Sequence, residues 1–411
     1  MTLRFLPRRV GAVGPTESSA VKRVFLVGSI CALAIAPSPA GAARSARAAS
    51  PARVARQARA VHQARTARQA RVARQARALA PTLAPAASGL IDAQIDFSAA
   101  LARILYSHRS ALVRGVAPDG ANGVNAEWEH GQGPGMFIEE QRHGEEAIIA
   151  GLVHHSPKLW RLGEREFAWG FAHQGPAGNF PDTQDPFHST SFFVEGVAHV
   201  ILVLRAAAAS GVAVPRHLLS EVDSFLPRLH RAARWMASSV VWRPGLASDA
   251  PYTHRRFLVA SALGLTAMLT GDRLLARRAR EALELGLMAQ RGDGVFPELG
   301  GFDSYYQARG IVYAEHYLAW VPHAPRSLVP AIASGLAWER TRILPSGDVS
   351  IVGNTRANGV MRDHNGPKLV VYPMVANALA WWGLARRIPT DVRVAAQVSA
   401  WGDSHLADVG T

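Results

Sequence analysis

The chain has 411 residues, 48% apolar and 18% charged, with 10 Trp and 14 Phe. It is too apolar and aromatic to be mostly disordered and long enough for one large domain or two ordinary ones. The net charge of +14 does not mark a nucleic-acid binder: residues 1–43 carry +4, residues 44–77 carry +10, and residues 78–411 balance 30 basic against 30 acidic side chains.

In chain order, Lys22 and Arg23 precede the apolar run from Val24 to Ala36, followed by Pro37, Pro39 and the small residues Ala40-Gly41-Ala42. Residues 1–42 therefore read as a secretory signal with an overlong basic region, which predicts a secreted or periplasmic protein. Outside this leader no run reaches the ~20 apolar residues of a membrane span. The single cysteine, Cys31, lies inside the leader, so the mature chain is expected to have neither disulfide nor thiol chemistry. Residues 43–87 form an Arg/Ala/Gln-rich low-complexity linker in which Arg59, Arg65, Arg71 and Arg77 recur every six residues. It reads as a solvated spacer, with salt-sensitive adhesion to an anionic surface or polysaccharide as the alternative. The folded domain is expected over 88–411.

From Leu90 the apolar residues follow a helical period. Helices are predicted over 91–113, 139–154, 159–173, 191–210, 219–239, 257–269, 273–290, 311–320, 328–341 and 372–388. That over 191–210 is nearly all apolar and is expected to be buried all round. Short strands are predicted at 343–351 and 368–371. The chain also repeats itself: Gly178-Asn-Phe180-Pro181-Asp182 precedes Phe187-His188-Ser189, and Gly294-Val-Phe296-Pro297-Glu298 precedes Phe302-Asp303-Ser304. Weaker copies follow Trp235 and Trp338. Helical hairpins cannot bury both faces alone. An all-α fold follows, an α/α toroid of five or six hairpins with long loops at one rim; an open solenoid is the structural alternative.

Those loops hold the unusual residues. They span 117–138 (with Trp128), 173–190 (Asn179, His188), 242–257 (Tyr252, His254, Arg255, Arg256), 291–310 (Glu298, Tyr305, Tyr306, Gln307, Arg309) and 342–371 (His364, Asn365). Aromatic faces that stack on sugar rings, beside Asn, Gln and Arg that bind hydroxyls and carboxylates, suit a carbohydrate. The sequence has no phosphate-binding glycine loop, no H-E-x-x-H and no serine elbow, so no cofactor is expected, no catalytic metal is indicated while a structural one stays open, and nucleic acid is not an expected partner.

The stretch from Gly294 to Gln307, G-x-F-P-E-x-G-G-F-D-S-x-Y-Q, in a chain of this helical pattern resembles the toroid polysaccharide lyases and related helical-barrel glycosidases. The resemblance implies β-elimination on an acidic, uronate-containing polysaccharide, with His and Tyr as base and acid and with Asn, Gln or Arg holding the carboxylate. On this chain the proton-transfer candidates are His254, Tyr306, Tyr305 and His188. The substrate-binding candidates are Asn179, Tyr252, Arg255, Arg256, Glu298, Gln307, Arg309, His364, Asn365 and Trp128. A glycosidase would need two carboxylates from Asp182, Asp185, Glu298 and Asp303, although Asp303 before Ser304 also fits a helix cap. A glycan-binding toroid without turnover is the non-enzymatic alternative.

Overall fold

A computed structural model describes residues 95, 99–106, 115–122, 138–363 and 366–406, except Asp182 and Gln184. The segments expected to be a signal (1–42) and a linker (43–87) lie outside the described residues, as do Trp128, His364 and Asn365. The chain divides at residue 66, and the described residues belong to the second unit.

The described fold is all-α. Its helices are α1 (Ala99–Leu105), a 3-10 segment (Ile138–His143), α2 (Gly144–Val153), α3 (Pro157–Ala172), α4 (Pro186–Ala209), α5 (Arg216–Ser224), α6 (Leu226–Met236), α7 (Ser239–Ser248), α8 (Thr253–Thr270), α9 (Arg273–Ala289), α10 (Ser304–Trp320), α11 (Leu328–Arg340), α12 (Tyr372–Ala385) and α13 (Pro389–Leu406). One class is buried on almost every side: α4, α8, α10 and most of α12. The other is amphipathic. In α3, Leu159, Leu162, Phe167 and Phe171 are buried while Lys158, Arg161 and Arg165 face water. The buried helices contact one another in sequence. The 3-10 segment and α2 touch α4, then α4 touches α8, α8 touches α10, α10 touches α12, α12 touches α1, and α1 returns to α2. Each is backed by an amphipathic partner: α3 on α2, α6 on α4, α9 on α8, α11 on α10 and α13 on α12.

α4 is long and apolar enough to cross a membrane by length and composition, although polar residues interrupt its apolar run. Burial on all sides accounts for its apolarity, from Phe192 and Phe193 to Val203 and Leu204.

Several boundaries differ from those expected. α8 begins four residues before Phe257 and α10 seven before Ile311. Their first turns are polar, so an apolar period cannot find them, yet these turns are buried against one another. The span 219–239 is two helices because Pro227, in the first turn of α6, restarts the chain after Phe225. α7 runs through Pro244, where a loop was expected, and α13 was not foreseen. The strands at 343–351 and 368–371 are corrected to an Ile343–Val349 bridge and a two-residue ladder, β1 (Arg362–Asp363) with β2 (Gly366–Pro367).

The repeated motif is one turn used at least four times. The N–H of Gly294 donates to the Arg291 carbonyl, and the Arg291 N–H donates to the Val295 carbonyl, at 3.1 and 2.8 Å. The same pair of bonds closes 117–121, 175–179 and 344–348. Gly294 has φ +93°, and a Cβ there would lie 2.4 Å from the Ser334 carbonyl of α11. The turn therefore needs glycine both for its conformation and for its contact with the amphipathic layer. Phe296, two residues later, enters the core and meets Phe257 edge-on.

Candidate functional site

The G-x-F-P turn leads directly to Glu298. The Pro297 carbonyl accepts from the N–H and the hydroxyl of Thr253, and Glu298 bridges Tyr252 antiparallel. This strap fixes Glu298 beside the first turn of α8, where its Oε2 lies 2.9 Å from His254 Nδ1. Glu298 Oε1 accepts from Arg356 Nη1 at 2.8 Å. Arg356 arrives from 58 residues downstream because Phe302 pairs with Asn354 in parallel and Asp303 Oδ2 accepts from the Arg356 and Ala357 N–H groups. Asp303 Oδ1 caps α10 by accepting from the Tyr306 N–H.

Around this pair the first turns of α4, α8 and α10 converge. The Tyr306 ring lies 4.7 Å from His254 and 4.7 Å from Tyr305, with His188 6.4 Å from His254. The Arg356 guanidinium stands 4.0 Å over Tyr306. Gly310 makes this approach possible, since a Cβ there would come 3.2 Å from His254 Cα. His254, Glu298, Tyr305, Tyr306, His188, Arg309 and Arg356 are all buried.

Several cations crowd the group, and Arg255 and Arg356 among them are paired with carboxylates. Arg255 is held by Asp185 at 2.8 Å and Asp249 at 3.0 Å, and burial pushes Asp249 up to about 6. Arg309 donates to the Tyr305 hydroxyl at 2.8 Å and to the Tyr313 hydroxyl at 3.4 Å, lies over Phe192, and makes no ion pair with a carboxylate among the described residues. Burial holds the His254 imidazole well below its ordinary range, reinforced by Arg356 and Arg255. The α8 N-terminus acts in the same sense. Burial does the same at His188, helped by Arg255, and His188 Nδ1 has no hydrogen-bond partner among the described residues. Burial pushes the Glu298 carboxyl up to about 7 against the opposing pull of Arg356. The 2.8 Å ion pair favours its charged form, so Glu298 accepts the Nδ1–H of a neutral His254 and leaves Nε2 as the basic nitrogen.

Of the expected site residues, His254, Tyr306, Tyr305, His188, Tyr252, Arg255, Glu298 and Arg309 meet in this cluster. Three do not. Arg256 turns to the carbonyls of Leu285 and Ala250 on the side of α9. Both ends of the Gln307 amide are used by backbone: it accepts from the Phe296 N–H and donates to the carbonyls of Gly294 and Gly335. Asn179 belongs to the turn 175–179, whose Gly178 packs against the Arg231 carbonyl of α6. Arg356 was not among the expected residues, nor was Lys368, whose ammonium lies 6.0 Å from the Tyr306 ring. Their signal in the sequence was membership of the polar loop 342–371, Arg356 within the run Asn354-Thr-Arg356-Ala-Asn358 and Lys368 near the end of the loop.

No protein-family model matches the chain, and no curated protein matches it. A solved structure of a protein from Actinoplanes aligns over 77% of this chain and 81% of that chain, at 16% identity and a TM-score of 0.41.

Proposed function

We propose that the buried helices close into an α/α toroid and that the cluster at their N-terminal ends is the active site of a secreted lyase. The reaction is β-elimination on an acidic, uronate-containing polysaccharide. The return of the helix contacts from α1 to α2 supports the toroid. The observation that carries the chemistry is the His254 imidazole, held through Nδ1 by Glu298, beside a tyrosine and guanidiniums.

In this reading His254 Nε2 removes the proton on C5 of the uronate. Arg309, whose partners are phenols rather than carboxylates, neutralises the sugar carboxylate and so makes that proton more acidic. Tyr306 then protonates the leaving oxygen on C4. The paired-carboxylate alternative is weaker. Of the described candidates, Asp303 is occupied by three backbone N–H groups, Glu298 by Arg356 and His254, and Asp185 by Arg255, while Asp182 lies outside the described residues.

The test is absorbance near 235 nm, where the unsaturated ring left by elimination absorbs, on a panel of uronate polymers. Cleavage with that signal is expected, and His254→Ala and Tyr306→Phe should each cost about 10²–10⁴-fold in rate. No product on any polymer would point to a binding module. Hydrolytic product abolished by Glu298→Gln alone would replace the lyase with a glycosidase.

A further inference from the structure

A second buried polar group lies among the same helices. His316 is ten residues beyond Tyr306 on α10, and His199 is eleven beyond His188 on α4. At 1.5 Å per residue each stands about 15 Å further along its helix. Glu145, near the start of α2, completes the group: one donor atom from each of Glu145, His199 and His316 lies within 4.8 Å of the others. His199 Nδ1 abuts Glu145 Oε1. His316 Nδ1 lies 2.8 Å from Glu195 Oε1, which also accepts from the Ser261 hydroxyl of α8 at 2.9 Å. The two imidazoles stack at 3.8 Å and 14°, and Trp320 meets His199 edge-on.

We propose that Glu145, His199 and His316 bind a divalent cation of the zinc class, with Glu195 as the outer carboxylate that orients His316. Two imidazoles and a carboxylate without sulfur are a donor set for Zn²⁺ and its first-row neighbours. A carboxylate bonded to the imidazole is the usual support of a ligating histidine. Charge points the same way. The half-buried Glu145 carboxylate and the buried Glu195 carboxylate stand beside two imidazoles that lie face to face at 3.8 Å. A dication balances both carboxylates and leaves the rings neutral. Stacked rings cannot aim their in-plane lone pairs at one ion, so binding turns one ring about χ2 and ends the stacking. Glu145 and His316 keep a small exposed fraction of their side chains, 15% and 9%, through which an ion enters. The ion ties α2, α4 and α10 together and touches none of the residues of the His254 cluster.

The test is metal analysis of the full chain purified without chelator, followed by Zn²⁺ titration of the stripped protein by calorimetry and thermal denaturation. About one Zn²⁺ per chain is expected, with a melting temperature that rises on reloading. Glu145→Gln and His199→Gln should each weaken binding by about 100-fold or more, and Glu195→Gln by about 10–100-fold. His254→Ala should leave the stoichiometry unchanged, so the result is independent of the lyase reading. If His316→Ala does not fold, the near-isosteric Glu145→Gln still decides. Absence of saturable binding up to millimolar Zn²⁺, or binding that survives these substitutions, overturns the proposal.

Discussion

Glu166, on α3, has no exposed surface. Its Oε2 accepts from the Asn122 amide at 3.3 Å, and its Oε1 has no hydrogen-bond partner among the described residues. Burial pushes this carboxyl from an ordinary 4.5 up to about 8. Between those values the folded protein keeps a proton that the unfolded chain releases. The stabilising contribution is therefore fully present below pH 4.5 and is lost as pH rises through 8, by about 1.4 kcal/mol per pH unit and on the order of 4–5 kcal/mol in all. A glutamine in place of Glu166 keeps the shape without the charge. The Glu166→Gln protein is predicted to match the parent near pH 4.5 and to be several kcal/mol more stable at pH 8.5, read from urea midpoints. Equal pH dependence of the two proteins would refute the assignment. The same scale shows what a sequence conveys about a site. Residue types singled out His254, Tyr306 and Arg309. Type alone did not separate Arg255, neutralised by two aspartates, from Arg309, whose partners are phenols. That distinction depends on side chains 70 residues apart.

At the level of elements, the G-x-F-P repeat was legible because its physical requirements are local. It needs a glycine for a positive φ and close contact, and in the 175–179 and 291–295 copies Phe180 and Phe296, two residues on, enter the core. Gln174 and Gln290 underline the likeness, each donating to the carbonyl of its turn glycine and to a carbonyl of the neighbouring chain segment, Arg228 or Ala331. The copy inferred after Trp338 is the turn at 344–348, whereas the stretch after Trp235 became α7. Gly294→Ala should cost about 3 kcal/mol or more, since it combines positive-φ strain with a clash against the Ser334 carbonyl. Gly211 has φ +83° with nothing within 4 Å of a Cβ, so Gly211→Ala should cost only about 1 kcal/mol. Chemical denaturation of the two variants checks the contrast, and equal losses would mean that the contact with α11 is unimportant. The starts of α8 and α10 were illegible for the opposite reason. Their first turns are buried among other polar groups, so they carry no apolar period.

For the molecule as a whole, charge and composition separate the first 87 residues from the rest. A neutral, apolar chain of about 320 residues can bury enough surface to fold without those first 87 residues. A protein beginning at Ser88 is therefore predicted to be soluble and to melt in one cooperative transition by circular dichroism. Aggregation of that protein, while the longer mature form behaves well, would move the boundary.

The sequence by itself determined the helical class, because the 3.6-residue period of a buried face is written in consecutive residues. It also showed the glycine turns at 175–179 and 291–295. Tertiary structure decided which polar side chains meet. His188, His254, Glu298, Tyr306 and Arg356 come from four different loops and the helix starts that follow them, and Glu145, His199 and His316 from three helices. No spacing along one segment encodes either group. Each exists because helices distant in the chain pack side by side, and close packing places their buried polar groups within hydrogen-bonding range.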